Sequence, residues 1–177
     1  MQIFLVLDRW LDRFYRLCGY LAALLLVALA LLIIGSIVSR LLGLYVPGLT
    51  EYSGYAMAGA SFLALASTLR AGGHIRVGIL LNALHGRAER GLRLWCLTMG
   101  SGLSVYVAYY LVKMTRVSWK LEDRSEGADA ILLWIPQTLV SFGAVVLAIC
   151  FLHCLVAFLL RGADPTAAQE GVAEGEL

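Results

Sequence analysis

Acidic and basic side chains are missing from long stretches of this 177-residue chain: Leu17 to Ser39, Tyr52 to Leu69, and Leu94 to Val112 hold no Asp, Glu, Lys or Arg. Ionisable groups at membrane depth are costly and are kept where an ion, proton or solute must pass. Their absence argues against a carrier or pump that works alone; a small multidrug antiporter, for instance, needs an acid inside a span. Histidine is as scarce. Of three, only His153 lies in an apolar run, while His74 and His85 fall in a loop. A four-helix b-type cytochrome would need paired histidines at depth to ligate haem iron. The chain also has no CxxC pair, no phosphate-binding loop and no Ser/His/Asp set. Its four cysteines, Cys18, Cys96, Cys150 and Cys154, sit in or at the edge of apolar runs, where they behave as small hydrophobes and imply no disulfide framework. Cys150, His153 and Cys154 do share neighbouring faces of a helix. Three ligands from one helix with no fourth nearby favour ordinary packing over a zinc site.

What is present is apolar. Hydrophobic residues make up 60% of the chain, and the mean hydropathy is +0.82, far outside the soluble range. The charges cluster between long apolar runs, so the class is a polytopic, all-α membrane protein. The net charge of +2 follows membrane topology and gives no sign of a nucleic-acid partner.

Four transmembrane helices are predicted, at about 17–39, 52–69, 92–112 and 136–160, in a single membrane domain over residues 1–162. An acidic, Ala/Gly-rich tail, 163–177, is expected to be disordered and cytoplasmic. Ahead of the first span, Phe4, Leu7, Trp10, Leu11, Phe14 and Leu17 recur at helical spacing opposite Asp8, Arg9, Asp12, Arg13 and Arg16. That pattern predicts an N-terminal interfacial amphipathic helix; the plainer alternative is a cytoplasmic extension of the first span. With no small-residue cleavage site, the first apolar run is expected to be retained. Gly43, Pro47 and Gly48 turn the chain back, and Thr50 is placed to cap the second span, with Glu51 near its positive end. The loop from Arg70 to Arg93 holds five arginines against the single acid Glu89. By the positive-inside rule it is cytoplasmic, and with an even number of spans so are both termini; nine Lys/Arg then lie inside and five outside. The third helix is expected to continue past the membrane through Lys113, Arg116 and Lys120, and Pro136 to open the fourth. Trp10, Arg13, Trp95 and Trp134 are the expected interfacial anchors.

The second span organises the chain. Ala56, Ala60 and Ala64 recur every four residues, as do Gly54 and Ala58, a pattern that lets helix backbones approach closely in lipid. Such a helix is expected to be surrounded by others. Its ends carry Glu51 on one side and Arg70, His74 and Arg76 on the other. These four are the candidate contacts to a partner or to lipid, against the bland reading that they cap a helix and set topology.

The same residues carry a family resemblance. Glu51, the run through Tyr55, Ala60 and Phe62, and then Leu69, Arg70, Gly73, His74, Ile75, Arg76 and Val77 resemble the signature of the small membrane subunit (DctQ-type) of tripartite ATP-independent periplasmic (TRAP) transporters. Arg40 before the first loop and Pro136 at the last span fit the same pattern. Gly78 departs from it, since the family usually has Asp there. The resemblance implies a non-catalytic subunit in the bacterial inner membrane that pairs with a large membrane subunit and a periplasmic solute-binding protein. Sodium and substrate, commonly an organic acid, would bind on the large subunit, with no cofactor on this chain. The alternative from another class is a small four-helix redox protein working with haem or quinone.

Overall fold

The computed structural model describes residues 2–44, 46–70, 87–127 and 129–161. They form four helices: α1, Gln2–Leu41; α2, Leu49–Arg70; α3, Arg87–Leu121; and α4, Trp134–Arg161. The tail 163–177 lies outside the described residues. The chain is all-helical in its long elements. Three helical segments are long and apolar enough to cross a membrane, Trp10–Leu41, Arg90–Leu121 and Trp134–Leu160. α2 is not among them.

α1 runs without a break, so the amphipathic stretch at 4–17 and the apolar stretch at 17–39 are one helix of 40 residues, about 60 Å long. It stops at a Schellman motif. Gly43 takes φ +69°, the Gly43 N–H donates to the Arg40 carbonyl at 3.2 Å, and the Leu44 N–H donates to the Ser39 carbonyl at 2.8 Å. The cap of α2 differs from the expectation. The helix begins one residue before Thr50, and the carbonyl of Gly48 accepts the Tyr52 N–H at 3.0 Å; Thr50 therefore sits inside the first turn. Pro136 is the third residue of α4, still among the positions whose N–H has no partner within the helix. α3 extends through Lys113, Arg116 and Lys120 to Leu121, as its sequence predicts.

α2 packs against α1 on one side and α4 on the other, and α4 packs against α3. The helices thus follow one another in the order α1, α2, α4, α3. The main core joins Tyr15, Cys18 and Ala22 of α1, Leu63, Ala66 and Leu69 of α2, and Val146, Cys150 and Cys154 of α4. Ala56 and Ala60 are buried and Ala64 packs against the core, so the small-residue stripe does meet other helices. Gly54, by contrast, is exposed. The helices also come close at Gly143 of α4, where a Cβ would fall 2.8 Å from the Phe62 Cβ and 3.0 Å from the Phe62 carbonyl carbon. Ala108 of α3 meets Ala144 and Ala148 of α4, and the Thr115 and Ser141 hydroxyls bond across the same seam at 2.7 Å. Other hydroxyls, such as Ser61 and Thr98, donate to carbonyls of their own helix, which satisfies them without a partner helix.

Candidate functional site

At one end of the molecule α2 begins, α3 ends and α4 begins, and the polar groups of that end converge on Glu51. The loop between α3 and α4 folds into a narrow hairpin. Arg124 pairs antiparallel with Leu132, the Ser125 N–H donates to the Ile131 carbonyl at 2.8 Å, and the Leu133 N–H donates to the Asp123 carbonyl at 2.9 Å. The hairpin lowers its tip onto α2. Ser125 Oγ donates to Glu51 Oε2 at 2.6 Å, and accepts the Gly127 N–H at 3.3 Å and the Tyr55 hydroxyl at 3.4 Å. One donor and two acceptor sites are what a serine hydroxyl can offer. A Cβ at position 127 would meet the Glu51 carboxylate, so a side chain there would have to push that carboxylate from its place beside Ser125. Nearby, the Tyr52 hydroxyl donates to Asp129 Oδ2 at 3.0 Å.

Glu51 is therefore engaged by its own chain. Sequence reasoning picked out Glu51 but missed Tyr52, Ser125, Gly127 and Asp129 as its company. The pairing spans 74 residues and leaves no local pattern; the only hint was the run of acids and Gly127 in a loop otherwise balanced in charge. Arg70 closes α2, but its side chain lies outside the described residues, as do His74 and Arg76.

The expected anchors occupy the helix surfaces. Trp10 is 67% and Trp95 60% exposed, Trp134 is half-buried, and the Arg13 guanidinium lies 6.0 Å from the Trp10 ring centroid. Tyr106, Tyr109 and Tyr110 of α3 form an aromatic group with centroids 4.6 to 5.4 Å apart, and the Lys113 ammonium lies 6.0 Å from the Tyr110 ring. In α4, Cys150 and Cys154 are buried, and the Cys150 thiol is directed to the Ala66 carbonyl at 3.7 Å. Among the described residues no three His, Cys, Asp or Glu side chains gather as a metal site would need.

A comparison with curated proteins and one with solved structures each gave no match. A family model does match, over residues 29–162: tripartite ATP-independent periplasmic transporters, DctQ component. That range takes in the last third of α1 and all of α2, α3 and α4, including Glu51 and the Arg70 to Val77 motif, and on it this chain belongs to the DctQ family, the small membrane component of TRAP transporters.

Proposed function

We propose that the chain is a non-catalytic scaffold. It adds four membrane-spanning helices to the large TRAP membrane subunit, and so widens the immobile frame against which that subunit's transport elements move. Sodium and the solute, commonly an organic acid delivered by a periplasmic binding protein, bind on the partner and not here. Both termini are cytoplasmic, in a bacterial inner membrane, with the Glu51 end facing the periplasm. The charged part of α1 ahead of Leu17 extends beyond the hydrocarbon, since about 60 Å of helix is twice what a core of about 30 Å accommodates. α2 spans as the helix packed between α1 and α4.

The observation that carries this reading is the distribution of chemistry along the helices. Asp, Glu, Lys and Arg are absent from Tyr52 to Leu69 of α2, from Leu94 to Val112 of α3 and from Leu17 to Ser39 of α1. The outer helices instead offer broad apolar surface, with Leu17, Leu24 and Leu31 of α1 and Leu103 of α3 each 64 to 66% exposed. Such a chain is suited to bind helices or lipid and poorly suited to hold an ion. Arg70, His74 and Arg76 then serve as a cytoplasmic clamp on the partner or on anionic lipid. Affinity purification of the full chain from membranes that also express the large subunit tests the assignment. A stable complex that survives mild detergent is expected, and recovery of this chain by itself would reject it.

A further inference from the structure

We propose that the groove between α3 and α4 is a binding site for an anionic phospholipid, a role that rests on the orientation given above and adds to the scaffold reading. The groove has a volume of about 500 Å³. Its floor is Ala108 and Ala148, small and buried where the helices touch. Its walls are apolar, with Val112 on one side and Ile149 and Leu152 on the other. At the Glu51 end its wall turns cationic, with Lys113 and Arg116 on α3.

Three features select a lipid over other occupants. The polarity is graded along the groove as it is along a phospholipid, with hydrocarbon walls toward mid-membrane and two cations at headgroup level. Both cations are exposed; Lys113 lies 6.0 Å from the Tyr110 ring, and among the described residues neither is in an ion pair, although acids are plentiful in the next loop. Finally, Lys113, Arg116 and Lys120 follow at intervals of three and four along α3, which aligns them on one face. Basic residues on the outer side run against the topological bias, so a row of them there calls for an anion to meet it. A partner helix of the large subunit would need acids at one interfacial level to match; a phosphate on a chain that already fills the surrounding membrane meets the need directly.

The test places a photo-crosslinking amino acid at Ile149 in the full-length chain, expressed in cells together with its large subunit. After illumination, the complex is purified and the adducts are identified by mass spectrometry. Anionic phospholipid should be enriched in the adducts about tenfold over its share of the membrane. Lys113→Gln with Arg116→Gln should lower that enrichment toward the membrane proportion while the total lipid adduct holds. Should the double variant not accumulate, enrichment on the unaltered cations still decides the matter. Adducts to the large subunit or to a second copy of this chain, or lipid adducts in bulk proportion, would overturn the proposal. Co-purification of the large subunit, scored in the same sample, reports separately on the scaffold reading.

Discussion

At the scale of single residues, the contact between Glu51 and the α3–α4 hairpin is the most consequential polar feature described. A hydrogen bond to a carboxylate contributes about 1.5–3 kcal/mol when well shielded, and less at a half-exposed site such as this one. Ser125→Ala should therefore lower stability in detergent by about 1 kcal/mol, read as a fall in thermal midpoint. Glu51→Gln should cost less, because the amide oxygen can still accept from Ser125. The collision foreseen at Gly127 gives a sharper test. Gly127→Ala should be harmful with Glu51 present and nearly neutral in a Glu51→Ala background, a coupling that a double-mutant cycle measures. Additive losses would show that the carboxylate is not what confines position 127. Ala130, with φ +43°, holds a left-handed conformation that costs an L-residue roughly 1–2 kcal/mol, so Ala130→Gly should raise the same midpoint.

At the scale of helices, α2 packs between α1 and α4 while one face stays exposed, and its small side chains let those two helices approach. Ala60 is 1% exposed. Ala60→Leu would force three added carbons into a filled seam and should destabilise by about 1–3 kcal/mol, whereas Met57→Leu, on an exposed face of the same helix, should change little. This closeness was legible beforehand in the four-residue spacing of Ala56, Ala60 and Ala64, because spacing along one helix fixes which residues share a face. Helix boundaries were legible for related reasons: Gly43 and Pro136 mark ends by their own backbone preferences. What was not legible depended on distant pairing. Thr50 is a good capping residue by type, yet the carbonyl of Gly48 and the hairpin beside it set the start of α2. The hairpin itself is specified by backbone bonds among Asp123, Ser125, Ile131 and Leu133, in a stretch with no alternating pattern to announce them. Nor does an amphipathic stretch followed by an apolar one disclose whether a break lies between them; in α1 none does.

At the scale of the whole molecule, the four helices form a series in which α1 and α3 are the outer members and present most of the exposed apolar surface. The proposed orientation is checked by chemical labelling. Glu126→Cys lies in an exposed part of the hairpin and should react with a membrane-impermeant maleimide in intact spheroplasts. A tag after Leu177 should be reached only once the membrane is opened; the reverse pattern would invert the topology. The central claim is that the chemistry of transport resides elsewhere in the complex, and reconstitution addresses it most directly. Proteoliposomes carrying this chain alone, supplied with the system's solute, its periplasmic binding protein and an inward sodium gradient, should accumulate no solute above empty vesicles, and uptake should appear when the large subunit is added. Sodium-dependent accumulation by this chain alone would contradict the account.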